Sequence, residues 1–229
     1  MMSDKRACLG NYEDNPVSDL MLEAARTVGV DFILNVVTQA KHEIAFCAAG
    51  DVSAAWLEAV HYCEKINTVN IKQSADIVIA GCGGYPKDIN MYQAQKALDN
   101  AAAAVRPGGV IIWVAECPEG LGNPTFEKWM VGSKPEQILA RIQEQFVLGG
   151  HKAAAIARVQ TRAEIWLVSS LAPELVRSCG LQPYGSVEDA LQAAFARFGS
   201  DASIAAMPEG ASIVPTVPET RSRTLGGAI

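Results

Sequence analysis

The stretch that most limits how this chain can fold is residues 75–122, "ADIVIAGCGGYPKDINMYQAQKALDNAAAAVRPGGVIIWVAECPEGLG". An apolar run leads into a glycine-rich loop, the loop into a segment with helical spacing, and that segment through "RPGG" into a second apolar run. Strand, helix and strand in this order imply parallel pairing with a right-handed crossover. The chain is therefore expected to build an α/β fold around that unit.

The flanking segments agree. Near the start, "SDLMLEAARTVG" reads as a short helix with Ser18 or Asp19 at its N-cap and Gly29 past its end. "DFILNVVTQAKHEIAFCAAGD" holds two β-rich runs around a polar "TQAKHE", a hairpin signal. "VSAAWLEAVHYCEKIN" has helical spacing with Ser53 as a cap. Beyond the βαβ unit, "NPTFEKWM", "KPEQILARIQEQFVLG" and "HKAAAIARVQTRA" read as helices, "EIWLVSS" as a strand, "APELVRSCG" and "SVEDALQAAFARFG" as helices, and "ASIAAMP" as a last strand. The expectation is a mixed, largely parallel sheet flanked by helices, a three-layer sandwich. Without a repeat or a shift of composition, residues 1–229 read as one domain, with a loose tail over 216–229.

Composition excludes several functions. A net charge of −6, with charged residues at 19%, leaves no basic stripe to neutralise phosphates, so a nucleic-acid partner is not expected. Apolar residues reach 49% but never in a run of about eighteen, which argues against a membrane span. "MMSDKRACLG" has no apolar core for a signal peptide, so the cytoplasm is the expected location. The six cysteines show no CxxC or zinc spacing, which fits reduced thiols. His61 and Cys63 fall on different faces of a helix, and no metal site is expected within this chain.

The glycine loop lies where an open α/β sheet collects ligands, outside the carboxyl end of a strand. Gly81, Gly83 and Gly84 allow positive φ and close approach, and free N–H groups of the following helix would favour a carboxylate or phosphate. The spacing matches neither GxGxxG nor GxxxxGK[ST], so the loop names no nucleotide. On the helix, Ala94, Ala97, Leu98, Ala101 and Val105 form an apolar stripe, and Gln93, Lys96 and Asn100 a polar one. An amide beside an ammonium suits an anionic, oxygen-rich ligand. A second reading stays open: Asn90 and Gln93 resemble a capping box, with Lys96 a solvated charge. Cys82, in the loop before a helix, is also a candidate for a thiol of lowered pKa.

The run "GGYPKDINMYQAQKAL", with "CPEGLG" after the next strand and "NPVSDLMLEAARTVGVDFILNVV" near the start, resembles the nickel-dependent lactate racemase family, and within it the C-terminal domain. The likeness runs from Asn15 to Ser170. It implies a site that closes over a nickel pincer nucleotide, pyridinium-3,5-bisthiocarboxylic acid mononucleotide nickel, which takes and returns a hydride at the hydroxyl-bearing carbon of a 2-hydroxy acid. Carried over by motif, Gln93 and Lys96 would face substrate and cofactor. Lys96 would neutralise a carboxylate or phosphate, and Gln93 would orient oxygen atoms. Tyr92 and the turn from Gly83 through Gly84 and Tyr85 to Pro86 would shape the wall, and His151 would stand where the family has a pocket-facing aromatic residue.

The family's upstream domain, with its cofactor-anchoring lysine, nickel ligand and proton-exchanging histidines, has no counterpart here. The resemblance therefore implies that the catalytic residues and most of the cofactor's contacts lie on an N-terminal half, either a separate polypeptide or the rest of a longer protein of which this chain is a fragment, and that this chain alone racemises nothing. The alternative is a non-catalytic module that binds an anion or phosphate.

Overall fold

The structure is a computed structural model and describes residues 4–8, 10–39 and 43–217. The chain, expected as one domain, divides by contact into two compact units, 1–68 and 69–229. No glycine or proline linker marks the boundary, because a helix runs to Asn67 and a strand begins at Thr68.

In the first unit, α1 (Pro16–Val28) is capped by Asn15, whose side chain accepts from the Val17 N–H at 3.0 Å, and ends at Gly29 in the left-handed region. The cap therefore precedes Ser18 and Asp19, because a proline suits the first helical position and puts the capping role on the residue before it. β1 (Ile33–Thr38) and β2 (Ile44–Gly50) pair antiparallel, and residues 40–42 of the expected turn lie outside the described residues. α2 (Val52–Asn67) is capped by Asp51, which accepts from the N–H groups of both Ser53 and Ala54, so Ser53 is not the cap. One face of the hairpin meets α2 through Val37, Ala48, Ala55 and Ala59, with Phe46 stacked on Tyr62 at 4.5 Å.

The second unit holds a five-stranded sheet in the order β7-β6-β5-β4-β8, parallel throughout. Its strands are β4 (Ala75–Gly81), β5 (Val105–Val114), β6 (Glu164–Val168), β7 (Gln182–Tyr184) and β8 (Ile204–Met207). A short β3 (Thr68–Asn70) pairs with β9 (Val214–Thr216). Thr216, assigned above to a loose tail, is thus held in a strand, and its carbonyl accepts from the Ile71 N–H; residues 218–229 lie outside the described residues. The short strands β3, β7 and β9 are too brief to leave a periodic signal.

Strand order explains the layers. From β4 through β7 the chain steps in one direction, and α3 (Met91–Ala101), α4 (Pro124–Met130), α5 (Pro135–Glu144), α6 (Gly150–Gln160) and α7 (Pro173–Ser178) pack on one face. The chain then turns back past β4 to β8, and right-handed connection places the intervening α8 (Val187–Phe198) on the other face. Alternate residues of β4 and β5 serve the two cores: Val78, Ala80, Ile111 and Trp113 on the first, Ile77, Val110 and Ile112 on the second. All seven are completely buried, as expected of strands covered on both faces. The expected three-layer α/β architecture is present in this unit. No helix among the described residues is long and apolar enough to cross a membrane.

At the amino end of β4, Asp76 accepts from the N–H and hydroxyl of Ser203 and pairs with Arg106, tying β4 to the start of β8 and to β5. These contacts, led by the Ser203 hydrogen bond, hold its carboxyl well below the usual range. A lowered carboxyl stabilises the fold above its unfolded value and loses that contribution as pH falls toward the folded one. Asp76→Asn should accordingly flatten the acid side of the stability profile below about pH 4, read by chemical unfolding at several pH values. Leu98→Ala, at a fully buried position of α3, should cost about 2–5 kcal/mol in the same assay.

Candidate functional site

Where the chain reverses between β4 and β8, two loops meet at the carboxyl ends of the strands, the position at which such sheets bind ligands. The first, residues 82–90, follows β4; the second, 208–213, follows β8. Cys82 bridges to Glu209, and a Cβ on Gly81 would come within 2.6 Å of the Pro208 carbonyl oxygen, so glycine lets the two backbones touch. Lys87 ties the loops from above, its ammonium 3.0 Å from Glu209 Oε2 and 3.3 Å from Ser212 Oγ.

The amino end of α3 is closed. Met91 N–H donates to the Gly120 carbonyl, Tyr92 N–H to that of Leu121, and Gln93 N–H to the Asn90 side chain. The residues after β5 thus occupy the N–H groups expected to remain free for an anion, and that expectation is corrected. The same turn is held by Cys117 and Glu119 N–H groups on the carbonyls of Asp88 and Ile89. Charge attraction at this place must come from side chains.

Those side chains stand on the outward part of α3 and on α6. Gln93 and Lys96 are exposed. Asn90 caps the helix, but no hydrogen bond returns from the Gln93 side chain, so the capping box is half formed and the amide stays available. Asn100, grouped above with these two, instead donates to the Gly210 carbonyl at 2.8 Å. Gly83, Gly84 and Tyr85 are exposed around the loop, with positive φ at both glycines. Their face is open, not an enclosed pocket.

Tyr92 and His151 do come together. Tyr92 meets Phe126 edge-on at 5.7 Å and His151 at 6.4 Å, and Phe146 lies 5.8 Å from the imidazole. The Gly149 N–H donates to His151 Nδ1 at 3.2 Å, which leaves the proton of the neutral ring on Nε2. Burial, reinforced by the charge of Lys152, pushes the His151 pKa down and favours that neutral form.

Lys152 and Gln95 were not singled out from the sequence. The Lys152 ammonium lies 5.2 Å from the Tyr92 ring centroid and donates to Gln95 Oε1 at 3.0 Å. Burial first, and repulsion from Lys96 second, lower its pKa. Gln95 is 3% exposed, and its Nε2 has no hydrogen-bond partner. Two signals were present: a glutamine inside the apolar stripe, and a lysine in the first turn of a helix, where the dipole disfavours a cation. Neither Lys96 nor Lys152 forms an ion pair among the described residues, whereas Lys87 does.

The thiol reading fails. Burial raises Cys82 to about 11 and Cys117 to about 12, and Cys82 Sγ accepts from Trp113 Nε1 inside the core. Among the described residues no three His, Cys, Asp or Glu side chains converge as a metal site. The residues at this face fit the anionic groups of a nucleotide or substrate, not a nickel ion.

The model of the lactate racemase C-terminal domain matches residues 70–215. The chain belongs to the lactate racemase family. It is 35% identical over 211 residues to lactate racemase of Thermoanaerobacterium thermosaccharolyticum, covering 90% of this chain and 49% of that enzyme. Against lactate racemase of Lactiplantibacillus plantarum it is 29% identical over 224 residues, covering 93% of the chain and 51% of that enzyme. The chain thus spans about half the length of the curated relatives it matches. In structure it is similar to the apoprotein of the Thermoanaerobacterium lactate racemase, with a TM-score of 0.87 at 32% identity, over 93% of this chain and 52% of the other. A protein of Thermotoga maritima shares the fold at a TM-score of 0.64 and 16% identity, over 89% of this chain and 54% of that one.

For this lactate racemase family member, the His151 imidazole should titrate below its ordinary value of about 6.5 in NMR spectra. Lys152→Met should move the midpoint part of the way back, because burial remains when the neighbouring charge is gone.

Proposed function

We propose that this chain is the substrate- and cofactor-closing half of a lactate-racemase-like enzyme acting on 2-hydroxy acids, inactive without an N-terminal half. The observation that carries the reading is the pair Lys96 and Lys152, two ammonium groups that form no ion pair among the described residues, beside the free amide of Gln93. Two like charges that repel each other at an open face gain most from a bound anion. The family match supplies the substrate class, and the open face fits a surface that completes a site on another body.

In this proposal Lys96 neutralises the carboxylate of the 2-hydroxy acid or a cofactor phosphate. Lys152, fixed by the Tyr92 ring and Gln95, strengthens the same field from a half-buried position, where screening by water is weaker. Gln93 orients ligand oxygens, and the neutral His151 offers its Nε2–H to the substrate end. The turn at Gly83, Gly84 and Tyr85 forms the wall. The nickel pincer nucleotide, held mainly by the other half, supplies hydride acceptance and return. The cytoplasm is the proposed location, in keeping with six free cysteines. A binding module without chemistry is the weaker reading, since the helix terminus that would serve it is filled.

The experiment is reconstitution with a loaded N-terminal half, following interconversion of the two enantiomers of lactate and of bulkier 2-hydroxy acids by chiral chromatography. The chain alone should show no turnover. Lys96→Ala should lower kcat/KM by on the order of a hundredfold or more, as expected on losing a charged hydrogen bond to substrate. Unchanged kinetics would remove Lys96 from the site.

A further inference from the structure

The first unit carries more apolar surface than a finished fold leaves open. Eleven of the seventeen large hydrophobic side chains exposed among the described residues lie between Val17 and Ile66, although this unit is much the smaller of the two. They are not scattered. On β1 and β2, one face packs on α2, while the other shows Leu34 at 63%, Val36 at 46% and Ile44 at 64% exposure. Cys47 and Ala49, directly across from Val36 and Leu34, are exposed on the same face. On α1, Val17, Met21, Ala24 and Val28 follow helical spacing along one exposed stripe, and the helix buries no residue. A two-stranded hairpin with one bare apolar face is marginal by itself and gains stability from a further layer.

The comparisons indicate what that layer is. The C-terminal domain model accounts for residues 70–215, yet the likeness to the Thermoanaerobacterium enzyme covers 90% of the chain, which that region cannot supply alone. The first unit therefore corresponds to a part of lactate racemase outside the C-terminal domain, and half of that enzyme has no match here. We infer that the outer face of β1 and β2 and the apolar stripe of α1 dock the unmatched N-terminal portion of a lactate-racemase fold. The inference rests on reading the chain as one half of such an enzyme. It assigns assembly to the first unit and leaves ligand contact to the second.

The probe is the purified portion of Thermoanaerobacterium lactate racemase that this chain does not match, mixed with the full chain carrying Cys8→Ser and Cys63→Ser. Cys47 is then the exposed thiol, since Cys82, Cys117 and Cys179 are buried. The expected result is a one-to-one complex by light scattering, with maleimide labelling of Cys47 slowed at least tenfold. Leu34→Glu and Met21→Glu change exposed positions, so they should leave the chain folded by circular dichroism while weakening the complex a hundredfold or more. Lys96→Ala should bind undiminished.

No complex, or one that tolerates both glutamates, overturns the proposal. Slow Cys47 labelling in a monomeric chain overturns it in favour of the chain's own second unit, and a dimer dissolved by Leu34→Glu overturns it in favour of a second copy. A complex of the expected kind that shows no turnover with loaded cofactor would leave the docking intact and remove the proposed activity.

Discussion

Four main-chain hydrogen bonds between the loop after β4 and the turn after β5 govern the second unit's functional face. Met91 and Tyr92 donate to the carbonyls of Gly120 and Leu121, and Cys117 and Glu119 donate back to those of Asp88 and Ile89. This reciprocal lacing satisfies the first N–H groups of α3, which a helix otherwise leaves orphaned. It also fixes where the helix starts, and so where Tyr92, Gln93 and Lys96 stand. Gly122 is part of the same arrangement: at φ +82°, a Cβ there would overlap the Asn90 side chain that caps α3.

With the helix terminus closed, the electrostatics of the face depend on lysines, and the structure sorts them. Lys87 is spent on Glu209 and Ser212, holding two loops together at the point where the strand order reverses. Lys152 is positioned by an aromatic ring and a buried amide, while Lys96 is exposed and forms no ion pair among the described residues. Within one short region, then, one ammonium is structural and two form no ion pair among the described residues. Tyr92, whose ring lies 5.2 Å from the half-buried ammonium, is itself packed edge-on against Phe126 and His151.

The two units differ in how completely they are built. In the second, the sheet is sealed on both faces and its central strands are dry. In the first, a hairpin and two helices enclose a small core, formed among the described residues by Val37, Ala48, Ala55 and Ala59, with apolar surface left outside. The family match follows the same division, since the C-terminal domain coincides with the sealed unit.

By itself, the sequence determined the βαβ unit, the long helices and strands, the parallel fold class and the family, because apolar periodicity and the "GGYPKDINMYQAQKAL" motif are local properties. It also placed Gln93 and Lys96 on a polar stripe of one helix. Tertiary structure alone decided which donors and charges were already used. The α3 terminus is filled by carbonyls thirty residues away, Asn100 by Gly210 and Lys87 by Glu209, none of which spacing can reveal. It likewise buried Cys82 and Cys117, raising thiols that a loop position would suggest are reactive, and brought Lys152 from another helix to Tyr92 and Gln95. Periodicity reports which side of an element faces inward; only packing determines what waits there.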